Sequence, residues 1–176
     1  MLDGLDFSDL RAKVAKQAES FLSKCRTKAP EETFYGLAIC IDRDVTSVAF
    51  KANSEQSLEH VGDRFYIDDW PCTDAKAVEA NKTLAGLWER FRTEIDSSQD
   101  SDDARRAMRK RCLETIVNGL RDFRRLAAAS ISPDFGLFVY DPDPEIPGEA
   151  LQIAKFLNSP ATYEAFADPD NGCPFA

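Results

Sequence analysis

From Thr33 to Asp42 the chain reads TFYGLAICID, a run in which aromatic, β-branched and small apolar side chains follow one another almost without a polar break. A strand wetted on one face alternates apolar and polar residues, so a run without alternation is a strand covered on both faces. That stretch demands cover above and below a sheet, and the rest of the chain must supply it. Asp42-Arg43-Asp44 marks a turn and Thr46 to Lys51 predicts a second strand, so the two form a hairpin. Arg64 to Ile67 predicts a short third strand. Gly136 to Tyr140, after the turn residues Ser132-Pro133-Asp134, predicts another.

The cover is helical. From Asp102 to about Ala128, the residues Ala104, Met108, Cys112, Ile116, Leu120, Phe123 and Ala127 step by four or three and stay on one face. Ser101 offers a cap, Asp102 and Asp103 sit at the positive end of the dipole, and Asp102 reaches Arg106 one turn on. A first helix is expected over Ser8 to Cys25, with Ser8 as N-cap and Leu10, Val14, Ala18, Phe21, Leu22 and Cys25 as its apolar stripe. Another is expected from about Ala75 to Ile95, where Gly86 costs about 1 kcal/mol of propensity. Asn53-Ser54 caps a short helix through His60, Glu149 to Leu157 reads as helical, and Ser159-Pro160 starts a last helix through Phe166. Asp96 to Asp103 is a polar, acidic loop. The expected fold is α+β: a single domain over residues 1–176, with a mostly antiparallel sheet of about four or more strands and helices packed on it. The hairpin should lie in the sheet beside or near the Gly136–Tyr140 strand, with the Met108/Cys112/Ile116/Leu120 face on that sheet.

The 176 residues, 43% hydrophobic and 30% charged, suit one globular core. No apolar run approaches the length of a membrane span, and the N-terminus lacks the basic and apolar regions of a secretory signal. Cys25, Cys40, Cys72, Cys112 and Cys173 are odd in number and form no C-x-x-C pair. Neither a disulfide framework nor a cysteine zinc site is therefore expected, and the compartment is read as a reducing cytoplasm.

Candidate chemistry is sparse. His60 is the only histidine, and its place at a predicted helix end reads as a surface residue. Asp141, Asp143 and Glu145 alternate as hard-cation ligands do, but Pro142 and Pro144 occupy the intervening positions, so no metal is expected. Ala104 to Arg125 carries eight basic residues against two acidic ones, yet no nucleic-acid motif accompanies the charge. Net charge is −9, which disfavours a phosphate backbone as partner and suits a cationic one. Asp68-Asp69-Trp70-Pro71 sets an aromatic residue beside two acids. The tryptophan is read either as an exposed interface anchor or as buried cover for the sheet edge. No glycine-rich phosphate loop, nucleophile elbow or paired-histidine motif is present.

Phe34-Tyr35, Asn53, Arg64-Phe65-Tyr66 leading to Trp70, the strand ending in Asp141 and Leu157-Asn158-Ser159-Pro160 form an ordered set. In that order and spacing the chain resembles the bacterial family called domain of unknown function 4303, from the first helix to about Phe166. A second tryptophan expected in that family shortly after Trp70 is absent here. The resemblance brings no established activity and implies an immunity-type role, one that neutralises a toxin by binding it. The expectation is a cytoplasmic binding protein rather than an enzyme, without cofactor, nucleic acid or membrane. Its partner would be a cognate toxin or another basic protein surface. Asp68, Asp69, Trp70, Asp141, Asp143 and Glu145 are the partner-binding candidates, with Trp70 as apolar anchor. Two alternatives stand beside it: a hydrolase or transferase using Asp141 and Asp143 as ligands or acid–base groups, and a housekeeping scaffold.

Overall fold

A computed structural model describes residues 2, 4–58, 64–74, 77–94, 102–144, 146–168 and 170. The apolar run forms β1 (Phe34–Ile41), an inner strand of a four-stranded sheet. β2 (Val48–Ser54) pairs with it antiparallel, and β3 (Cys72–Asp74) extends β2 antiparallel. On β1's other side β4 (Gly136–Tyr140) pairs in parallel, giving the order β3-β2-β1-β4. The sheet is therefore mixed, with two of its three pairings antiparallel. All five residues of β4 are buried, as a parallel strand covered on both faces requires.

Three helices cover one face: α1 (Ser8–Lys28), α2 (Val78–Glu94) and α3 (Asp102–Leu126). Leu37, Ile39, Phe50, Leu137 and Val139 of the sheet share one apolar cluster with Met108, Cys112, Ile116 and Leu120 of α3. α1 and α3 pack closely at Gly119, where an added Cβ would lie 2.7 Å from Val14 Cγ1 and 3.0 Å from the Arg11 carbonyl oxygen. Arg11 forks onto Asp122 beside that contact, Nε at 2.6 Å and Nη2 at 2.8 Å.

α4 (Glu149–Leu157), α5 (Pro160–Ala167) and the irregular segment 64–70 cover the opposite face. A bulge between Phe34 and Gly36 sends Phe34 into the helix-side cluster and Tyr35 into the other. Gly36 and Gly136 are register partners on that second face. An added Cβ would lie 3.0 Å from the Trp70 ring at Gly36 and 2.4 Å from the Phe138 ring at Gly136. Two adjacent bare positions thus form a trough in which aromatic rings lie against the backbone. Phe138, Trp70, Phe65 and Phe166 fill it with edge-to-face and tilted contacts.

Several local expectations are corrected. Arg64 to Ile67 is not a strand. Arg64 and Phe65 lie in a turn, Ile67–Asp69 forms one 3-10 turn, and the third strand is Cys72–Asp74. The reason lies in Lys51, whose ammonium donates to the carbonyls of Ile67 (3.1 Å) and Asp68 (2.8 Å), satisfying them as a neighbouring strand would. Ser8 is already helical and Phe7 holds the N-cap position without a side-chain cap, while Asp6 accepts from the Ser8 N–H at 2.8 Å. The helix after Ser54 is a single 3-10 turn, Glu55–Ser57, capped by Ser54 as expected. His60 and Ser101 lie outside the described residues.

Both sides of the sheet carry an amide in place of a strand. Asn158 accepts from the Leu137 N–H (2.7 Å) and donates to the Leu137 carbonyl (2.8 Å), closing the outer edge of β4. Asn81 of α2 does the same to Val48 of β2, at 2.7 and 3.0 Å, beyond the end of β3.

Candidate functional site

The carboxyl-terminal ends of β1 and β4 gather the polar groups that matter most. Tyr140, the last residue of β4, points to the second face and donates its hydroxyl to Asp68 Oδ2. Asp141, the next residue, meets α3 from the opposite side. The two acidic loops thus share one end of the sheet and lie on its two faces.

On the second face, the turn Tyr66–Asp69 is displayed and held from beneath. Ile67 and Trp70 are buried, while Asp68 and Asp69 are exposed and Tyr66 is 41% exposed. Lys51 holds the carbonyls of Ile67 and Asp68, and Tyr140 holds the Asp68 carboxylate. Just upstream, the Arg64 carbonyl accepts from the Tyr35 hydroxyl (2.6 Å) and the Trp70 indole (3.2 Å). Asn53 in turn donates to the Tyr35 hydroxyl at 2.9 Å. The Arg64 guanidinium lies 4.1 Å above the Tyr35 ring and pairs with Glu55 in a fork. Burial pushes the Tyr35 and Tyr140 phenols above their ordinary range, so both stay protonated donors. Burial likewise pushes the nearby Cys40 thiol up to about 11.

On the helix side, Arg109 of α3 is 4% exposed. It donates to the Arg43 carbonyl (2.8 Å), to Glu149 (2.8 and 3.2 Å) and to buried Asp141 (3.3 Å). Burial alone would lower its pKa, but the two carboxylates outweigh that and raise it. The knot ties α3, the β1–β2 turn, β4 and α4 together. Asp141 also accepts from the Asp143 N–H at 2.9 Å.

These positions revise the list of candidates. Asp68 and Asp69 are exposed as expected. Trp70, at 3% exposed, is core and not a surface anchor, and the exposed aromatic residue of that turn is Tyr66. Asp141 is buried in an ion pair and is not a displayed acid. Asp143 is exposed and lies 3.7 Å from Arg43, and Glu145 lies outside the described residues. Sequence reasoning missed Tyr66, Lys51 and Arg109. Arg109 had a visible signal, because it stands four residues before Leu113 and seven before Ile116 on an apolar stripe. Among the described residues no cluster of three or more histidine, cysteine or acidic side chains is placed to hold a metal ion, and no helix is long and apolar enough to cross a membrane.

The fold and this end of the sheet define an α+β domain with helices on both faces of a mixed four-stranded sheet and a braced acidic turn at its margin. The chain belongs to the family described as Domain of unknown function (DUF4303), which it matches over residues 14–127. Tyr35, Asn53, Arg64 and Trp70, four of the residues that carried the resemblance, lie in that span and form the brace beneath the turn. Asp141 and Asn158 lie beyond it. Nothing among curated proteins and nothing among solved structures matches the chain.

Proposed function

We propose that this chain is a cytoplasmic binding protein that presents the Tyr66–Asp69 turn to a basic protein surface, and that the partner is a toxin it neutralises as an immunity protein. The observation that carries the reading is the construction of the turn. One aromatic ring and two carboxylates face outward, and five side chains (Lys51, Tyr140, Tyr35, Trp70 and Asn53) fix the backbone behind them directly or through one another. Preorganisation of this kind lowers the ordering cost of binding. A tyrosine flanked by acids offers both a contact area and a steering charge for cationic side chains. The net charge of −9 favours the same class of partner.

The hydrolase or transferase alternative takes Asp143 as a ligand or acid–base group together with Asp141. The Asp141 carboxylate is instead taken up by Arg109 and the Asp143 N–H, which gives that alternative no support from geometry.

The test is co-expression with the product of the adjacent gene, read as rescue of growth and as binding of the purified pair. Tyr66→Ala should weaken binding about tenfold or more. Asp69→Lys should slow association and flatten its salt dependence, with the melting temperature unchanged in both variants. Binding that ignores Tyr66, Asp69 and salt would reject the turn as the contact surface. Absence of any rescue by the intact protein would reject the toxin partner.

A further inference from the structure

Phe21 of α1 stacks over Phe50 of β2, ring centroids 5.9 Å apart. α1 runs back antiparallel to β1 through a short connection and is therefore parallel to β2. One helical turn beyond Phe21 is Cys25, and two residues beyond Phe50 is Ala52, advances of roughly 6 and 7 Å along the same direction. The register partner of Ala52 on β3 is Cys72, and cross-strand partners share a face. Cys72 accordingly packs against the helix-side cluster that contains both Cys25 and Ala52, and the Cys72 thiol is the neighbouring group that adds to the upward shift of the Cys25 pKa. Cys25 is buried and Cys72 is partly open to solvent.

We propose that Cys25 and Cys72 form a dithiol site that closes reversibly to a disulfide on reaction with a small hydroperoxide. Cys72, the solvent-facing member, attacks the peroxide O–O bond as its thiolate. Its sulfur gains one oxygen to become a sulfenic acid, and hydrogen peroxide leaves one water. Cys25 then attacks the Cys72 sulfur, the S–O bond breaks, the S–S bond forms, and the second water leaves with the Cys25 proton. In sum two thiols lose two electrons and two protons, and one peroxide becomes two waters. A dithiol reductant reverses the exchange through a mixed disulfide. Burial, and then the facing Cys72 thiol, push Cys25 up to about 12, which keeps it an unreactive thiol until a sulfenic acid stands against it. Closing to a bond of about 2 Å asks for a shift of β3 toward α1. β3, a three-residue strand at the margin of the sheet, is placed to make it. The link does not depend on what the Tyr66–Asp69 turn binds, although β3 follows that turn directly.

The experiment treats the full reduced chain with hydrogen peroxide, alkylates the remaining thiols and maps linked peptides by mass spectrometry. A Cys25–Cys72 peptide lighter by two hydrogens is expected, and dithiothreitol should remove it. Because the closed loop spans roughly fifty residues, the oxidised chain should melt higher by on the order of 10 °C. Cys72→Ser should abolish both the linked peptide and the shift, while Cys40→Ser should leave both. The peptide map on the unaltered chain needs no variant to fold. A disulfide joining any other pair would overturn the proposal, as would recovery of Cys72 as sulfinic acid with Cys25 still free.

Discussion

Replacing Arg109 with methionine should be among the most damaging single changes outside the apolar core. The guanidinium is 4% exposed and donates to the Arg43 carbonyl, Asp141 Oδ2 and both Glu149 oxygens. Methionine keeps most of the apolar stem, so the loss is chiefly electrostatic. Glu149 can turn toward solvent, since its side chain is 19% exposed. Asp141, at 6%, cannot, and among the described residues it keeps the Asp143 N–H. An ion pair broken inside a protein costs about 3–5 kcal/mol. With one carboxylate able to rehydrate, the lower end, about 3 kcal/mol, is the expectation. At this chain length that corresponds to a fall in melting temperature of about 6–12 °C. The assay is urea unfolding followed by far-UV circular dichroism, on the single variant and on a cycle with Asp141→Asn. Because the amide removes the stranded charge, the double variant should recover about half of the loss. A loss below about 1 kcal/mol for Arg109→Met, or strict additivity in the cycle, would refute the knot as a stabilising clamp.

The two glycines within helices should respond in opposite directions. An added Cβ at Gly86 meets nothing within 4 Å, so Gly86→Ala should stabilise by about 0.5–1 kcal/mol in the same unfolding assay. Gly119→Ala must push α1 off α3 and should destabilise by about 1–3 kcal/mol. Asp122 is held below the usual carboxylate range by its hydrogen bonds to Arg11. A depressed folded pKa contributes stability that is present above the unfolded value and lost as pH falls through the folded one. Unfolding measured from pH 6 down to pH 2 should therefore show Asp122→Asn and the parent converging at the acid end, with a gap of no more than about 1 kcal/mol at pH 6 for so exposed a pair.

The elements with strong periodicity were legible. The apolar stripe of α3 and the unbroken run of β1 place their residues where the structure has them, and Glu149–Leu157 agrees at both ends. What failed did so for tertiary reasons. Arg64-Phe65-Tyr66-Ile67 alternates as a strand does, but the partner for the Ile67 carbonyl is a lysine side chain sixteen residues upstream, and that for the Arg64 carbonyl is a tyrosine hydroxyl twenty-nine residues upstream, neither of which a local pattern announces. Near Trp70, composition names three aromatic residues, Phe65, Tyr66 and Trp70, and cannot say which turns outward. The choice depends on Gly36, whose missing side chain opens the trough that takes the indole. The acids of the β4 loop looked alike in sequence. Arg109, thirty-two residues earlier, draws Asp141 inward and leaves Asp143 on the surface.

Asn81 and Asn158 carry a consequence for assembly. Each is borne on or just after a helix, and each occupies the hydrogen-bonding positions that a foreign strand would need, at Val48 and Leu137. The margin between β2 and solvent is otherwise a strand of three residues, too short to template another chain. Recruitment into an intermolecular sheet therefore begins with prying an amide away, which means fraying α2 or the α4–α5 junction. Aggregation on heating should then track the local opening of those helices, detectable as amide exchange at Val48 and Leu137, and should begin before the sheet itself melts.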